Sequence, residues 1–447
     1  MGMNLQAVME PLLTKLWQAA DDMYVGQAIY DPTNPGEVAK VEEGRKYLHS
    51  DLSSLIARFR GYYSLDGHDL DPVADQFAGQ SDRWEAPTGS SVYSSVARAA
   101  GDVDDVAKLI HTEQWQGKAA MAFHDRFLVP FKTTAVTHCE CAREMAIGAK
   151  ALAGGVERAK ECVVWVCKDA ISRLGGGGDP GSLPGEEGEG GTKHAAGFAA
   201  ILADAVALFL ALTGPEGDLL DAALAATGVG GGLIAESNTP SHERPISVNS
   251  SLSAMSLVHN TWTALTNLDA NIFEFDEKIG KGLDTDFDDS GPFGSPFARI
   301  DNPDLKSSAY HRLTFRGPAH AATDADDGVI TSIVRLYYAG YRTLPAAAEQ
   351  YEDGAKICAG AYIDGVQAQF PQAVRKFNEG AQTFGRLLGA VGDDLTRSGK
   401  SIVSAATDYE STDEYEASEI RKLENQIPPP GDSAGAQHYD PPPWLSP

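Results

Sequence analysis

FNEGAQTFGRLLGAVGDDLTRSGKSIVSAATDY, residues 377 to 409, decides the fold. Phe377, Ala381, Phe384, Leu388, Val391, Leu395, Ile402, Ala405 and Tyr409 keep to a seven-residue repeat, with Ser398 as its one polar member. Apolar positions at spacings of four and three fall on one stripe of an α-helix. A stripe this narrow and long predicts a second helix packed against it at low angle. Upstream, Ile330, Val334, Tyr337, Tyr341, Leu344, Ala348, Tyr351, Ala355, Cys358 and Tyr362 repeat the pattern. Pro345 is expected to interrupt or kink that helix, and Phe370-Pro371 to turn the chain.

The same spacing recurs nearer the start. Val92, Val96, Ala99, Val103, Val106 and Ile110 mark one helix, and Trp115-Gln116-Gly117 follows. A second seam then runs Phe127, Phe131, Thr134, His138, Cys141, Met145, Gly148 and Leu152, and the helical pattern continues to about Leu174. Helix, short turn, helix is an antiparallel hairpin, with Pro130 expected to kink its second arm. Residues 3 to 30 and 38 to 63 read as two further helices, whereas 31 to 40, 65 to 90 and 284 to 320 are rich in Gly, Pro and polar residues and read as irregular. No sustained alternation of period two occurs, so the chain is expected to be all-α, built from elongated helical hairpins.

Glycine and proline divide the chain. Residues 175 to 191, GGGGDPGSLPGEEGEGG, read as a flexible acidic linker, and 426 to 447 as an extended proline-rich tail. Between them lie an N-terminal helical module (1 to 174, its hairpin at about 90 to 174), an apolar middle (192 to 235) and a C-terminal module (246 to 425). The chain has 447 residues and a net charge of −27, which repels phosphate backbones and argues against a nucleic-acid partner. Five cysteines are too few for a disulfide scaffold. The opening residues lack the pattern of a classical signal peptide.

Chemistry-bearing motifs are sparse. His138, Cys139, Cys141, Cys162 and Cys167 suggest zinc, but Cys139 and Cys141 are about 200 degrees apart around a helix and the other pair lies about six turns further on. No metal or cofactor is expected. Asp284, Asp286, Asp288 and Asp289 resemble the start of a calcium loop, yet Asp289 stands where a glycine is needed and Ser295 where a bidentate Glu is needed, so a solvated acidic loop is expected. No His-Glu-x-x-His, nucleophile elbow or phosphate-binding loop is present, and no catalytic residue is assigned. Residues 195 to 213, AAGFAAILADAVALFLALT, carry Asp204 as their one charge between Phe198 and Phe209. They read as half of a buried helical hairpin, or as a segment that enters membrane conditionally.

Trp115-Gln116-Gly117-Lys118-Ala119-Ala120-Met121-Ala122-Phe123 resembles the Trp-x-Gly turn of the WXG100 family, the helical-hairpin proteins exported by type VII (ESX) secretion systems. Tyr409-Glu410-Ser411-Thr412-Asp413 resembles the Tyr-x-x-x-Asp/Glu export signal of the same systems, and Tyr415 to Glu419 repeats its spacing. At i and i+4 the ring and the carboxylate share one helical face. The resemblance covers roughly 90 to 174 and 325 to 425. It departs from the family in length, since typical members have about a hundred residues, and in placing the two motifs in different modules.

The resemblance implies a non-catalytic type VII substrate or secretion-associated protein. Trp115 and Gly117 would shape the hairpin tip, and Tyr409 with Asp413 would be read by the secretion ATPase. It implies export by this non-classical route, or an envelope association, after a cytoplasmic stage. Either the two modules pair with each other, imitating the family's heterodimer, or each binds a small WXG100-like partner. A membrane-active effector or toxin-delivery component using 195 to 235, and a cytoplasmic scaffold or chaperone, are the competing readings.

Overall fold

The computed structural model describes residues 3–66, 70–78, 91–111, 118–177, 180–181, 197–212, 231–287 and 333–410. The chain is all-α: no strand occurs among these residues. In chain order the helices are α1 (Leu5–Gln27), α2 (Pro35–Arg60, ending in a 3₁₀ turn to Leu65), α3 (Asp71–Ala78), α4 (Val92–His111), α5 (Lys118–Phe123) and α6 (Val129–Arg173). They continue with α7 (Phe198–Leu212), α8 (Gly231–Ser237), α9 (Ala254–Phe287), α10 (Ile333–Tyr338), α11 (Leu344–Gly360) and α12 (Pro371–Glu410).

α6 is the spine. Its 45 residues extend about 68 Å, and most of them are buried around the whole circumference. Small side chains make this feasible: Gly148 lies against Leu283, Gly154 against Ile201 and Gly155 against Phe275, so neighbouring helices approach closely. Several of the charged residues that the spine buries are paired along it. Glu140 accepts from Arg143 (2.7 Å), Glu157 from Lys160 (2.8 Å) and Asp169 from Arg173 (2.9 Å).

On the C-terminal half of the spine pack α1, α7, α9 and the 3₁₀ turn that ends α2, with α8 packed on α7 and α9. Asn4 caps α1 by accepting from the Ala7 amide (2.8 Å). α1 and α2 run antiparallel, tied by Asp21 to Arg45 and His49 and by Glu10 to Arg60. α9 closes this half across a large sequence gap. Gln27 donates to the Leu252 carbonyl (2.5 Å), and Arg58 donates to Asp269 (2.7 Å) while stacking on Trp262. Asp276 of α9 then caps α12 by accepting from the Gln372 and Ala373 amides (3.0 and 2.8 Å).

On the N-terminal half of the spine pack α4 and α12, with α11 meeting it through Tyr351 and α10 packed on α12. The α12 repeat is buried as its spacing predicts: Phe377, Ala381, Phe384, Leu388, Val391, Leu395, Ser398, Ile402 and Ala405 are all inside. α11 and α12 are antiparallel and close, with Gly385 against the Ala355 carbonyl, Gly392 against that of Ala348 and Gly399 against that of Gly340. An aromatic column crosses the centre, Phe123 on Phe127, Phe127 on Phe131, Phe131 on Tyr351, Tyr351 on His138 and His138 on Phe384, with centroids 5.0–6.0 Å apart.

Two local expectations are corrected, and the disturbance expected at two prolines takes a specific form. Residues 71–78, inside a stretch read as irregular, form α3, whose Phe77 packs edge-on against Phe377. The acidic loop read from Asp284 is, as far as Phe287, the last turn of α9. Asp286 there is buried and accepts from the Gly232 amide (3.0 Å), while Asp284 pairs with Lys376. Asp288, Asp289 and Ser295 lie outside the described residues. Neither proline breaks its helix: a π turn, His124–Leu128 or Ala339–Thr343, ends two residues before Pro130 or Pro345. In each turn the residue preceding proline donates to a carbonyl five positions back, so the wider turn makes room for the ring.

Candidate functional site

Helix directions determine which motif ends meet. Tyr93, at the start of α4, receives a hydrogen bond from Arg143 far along α6, whereas Val103 and Ala107 face Leu128 and Phe131 near its beginning. α4 and α6 therefore run antiparallel. Ser95 lies beside Gly354 of α11, and α4 also touches the π turn at 339–343, which is 11–15 residues earlier on that path. At 1.5 Å per residue that contact belongs to the last turns of α4. From the π turn the path leads on to α12: Gly340 packs on Gly399 and Val403, and the Tyr337 hydroxyl is 3.0 Å from that of Thr407. The end of α4, the start of α5 and the end of α12 thus share one end of the bundle.

Against this frame, Trp115 and Gly117 fall in the six positions between α4 and α5, outside the described residues. Tyr409 is in the last turn of α12. Asp413, Tyr415 and Glu419 follow it, outside the described residues, as does the tail from 426. Around this end several large apolar side chains face solvent: Met121 (55% exposed), Val129 (50%), Tyr338 (59%) and Tyr341 (54%). A cleft of about 200 Å³ opens between α4 and the first π turn, with Val103 and Phe131 as floor and Asp104, His124 and Lys132 as rim.

One carboxyl, midway along α4, titrates above its ordinary range. Burial, and then repulsion from Asp105, push Asp102 up to about 6, with Arg98 opposing. A folded-state value above the ordinary 3.8 means the folded protein holds this proton more tightly. Its contribution to stability is full below pH 4 and is lost as pH rises through about 6. Asp102→Asn is therefore expected to stabilise the protein by about 1–3 kcal/mol at pH 8 and by nothing below pH 4. Urea midpoints at pH 8, 6 and 4 check this, and a pH-independent difference contradicts it.

The cysteines are inside. Burial pushes the thiols of Cys162 and Cys167 up to about 12 and raises those of Cys139, Cys141 and Cys358 as well. Such thiols stay protonated at neutral pH and are poor metal ligands. Among the described residues no cluster of three or more His, Cys, Asp or Glu side chains is arranged to hold a metal ion. His138 sits in the aromatic column, edge-on to Tyr351 and Phe384.

Of the apolar middle, α7 is described. Phe198, Leu202 and Val206 are buried, Phe198 lies on the Phe275 ring (5.4 Å), and Asp204 is exposed. This stripe packs on α6, α8 and α9. Phe209 belongs to the same helix. No described helix is long and apolar enough to cross a membrane. Residues 213–230 lie outside the described residues.

Two polar networks escaped the sequence reading. One joins Tyr93, Glu140 and Arg143; the other joins Glu144 and Asp286 to the amides that open α8. Their residues are ordinary charged types in a chain full of them, and only long-range packing makes them partners. A second cleft, of about 700 Å³, lies at the opposite end of the bundle between α11 and α12, over Ala355, Cys358 and Val374, and contains none of the motif residues. No protein-family model matches the chain, and neither a curated protein nor a solved structure is detectably similar to it.

Proposed function

We propose that the protein is a type VII secretion substrate or secretion-associated protein that acts through protein recognition rather than catalysis. The observation that carries the reading is the convergence of helix ends: the α4–α5 junction holding Trp115 and Gly117 and the α12 terminus holding Tyr409 belong to one end of one bundle. In the WXG100 resemblance those two features come from two partners. Here one chain supplies both, so its two hairpins would stand in for the heterodimer. The exposed Met121 and Val129 give a receptor, such as the secretion ATPase, an apolar surface beside the signal.

Export is the test. The native chain, Tyr409→Ala and Asp413→Ala are expressed in a type VII-competent host, and culture filtrate is compared with lysate. Native protein is expected in the filtrate. Each variant is expected to fall at least tenfold there while accumulating intact in the lysate with an unchanged urea midpoint. Equal filtrate levels for all three would overturn the role of Tyr409 and Asp413. Retention of all three as folded protein would favour the intracellular scaffold.

A further inference from the structure

Tyr337 and Tyr341 stack nearly parallel across the second π turn, with ring centroids 5.8 Å apart and planes 9° from parallel. The Tyr337 hydroxyl is engaged with Thr407 of α12, which fixes one end of the pair. Tyr341 and the neighbouring Tyr338 are more than half exposed. A widened turn thus presents an aromatic shelf, the Tyr341 ring backed by Tyr337 with Tyr338 beside it. Such a surface suits a polyproline II segment, whose rings stack on aromatic planes and whose carbonyls have no internal partners.

We infer that this shelf docks the chain's own proline-rich tail, residues 427 to 444, which holds Pro428-Pro429-Pro430 and Pro441-Pro442-Pro443. Reach supports this occupant. α12 ends at Glu410, three residues beyond Thr407, and the 17 positions between Glu410 and Pro428 span up to about 56 Å when extended. Tethering at that length gives an effective concentration of order mM, enough to populate a weak polyproline contact. Proline also loses little conformational freedom on docking. The inference does not depend on export.

The test places the photo-reactive residue p-benzoylphenylalanine at Tyr341 in the full chain. Isotopically heavy and light chains are mixed in equal amounts, irradiated and mapped by mass spectrometry. Cross-links to residues 427 to 444 within single chains are expected. The yield should fall at least fivefold when Pro428, Pro429, Pro430, Pro441, Pro442 and Pro443 are all replaced by alanine. The same probe at Tyr362, exposed at the opposite end of the bundle, is expected to miss the tail. Mixed heavy–light products would assign the shelf to a second copy and overturn the inference. Cross-links elsewhere, none at all, or an unchanged yield from the proline-free tail would overturn it equally.

Discussion

Arg143→Ala is expected to destabilise the protein by about 3–5 kcal/mol, because it strands a carboxylate in the core. Glu140 and Arg143 are a turn apart on α6 with side chains 3% and 6% exposed, and their ion pair spans 2.7 Å. Arg143 also donates to the Tyr93 hydroxyl (3.1 Å) and lies over the Tyr93 ring at 4.9 Å, which ties α4 to the spine. Burial pushes the Glu140 carboxyl upward, and Arg143 pulls it back. Once the guanidinium is gone, Glu140 must take up a proton to remain inside. The deficit should therefore be largest near pH 8 and shrink toward pH 4. The double variant Glu140→Leu, Arg143→Met fills similar volume without charge and should recover most of the loss. Urea midpoints with unchanged slope report all three results. A pH-independent loss, or a double variant no better than Arg143→Ala, would mean that packing rather than charge is at stake.

Phe384→Ala should cost a similar amount, about 3–5 kcal/mol, through a different mechanism. Phe384 is fully buried and ends the aromatic column, edge-on to His138 at 5.7 Å. The rings it joins come from both hairpins: Phe131 and His138 from α6, Tyr351 from α11. Truncation opens a cavity where these helices meet. Phe384→Leu keeps most of the volume and should cost less than half as much. Denaturant unfolding checks the ranking; equal losses would show that the edge-on ring contact, not volume, carries the energy.

How much of this was legible depends on where each residue finds its partners. The α12 stripe was readable because its periodicity is local, and the positions from Phe377 to Ala405 face the core as spaced. α6 was half readable. Its seam from Phe131 to Leu152 is buried, but so are Glu140, Arg143, Glu144 and Lys160 on its other faces, since helices surround it. A one-face pattern cannot reveal a helix buried on every side when the remaining faces are charged and internally paired. Asp286 misled for the same reason: beside Asp284 and Asp288 it resembles solvent-exposed acid, while its partners are the Gly232 amide and Glu144, distant in sequence. Pro130 and Pro345 marked a disturbance correctly. Its form, a π turn, depends on hydrogen bonds that composition does not encode. For the candidate site, the motifs supplied the residues, and helix direction supplied the end of the bundle shared by the helices that flank them.

The closure of α1 and α2 by α9 also sets an order in time. Gln27 meets Leu252 across 225 positions, and Arg58 meets Asp269 across 211. At about 5–20 residues per second, a ribosome takes roughly 10–45 s to deliver the second partner after the first. During that interval the faces of α1 and α2 destined for α9 have no native cover. In a newly made chain these faces are therefore accessible to chaperones until α9 has been translated.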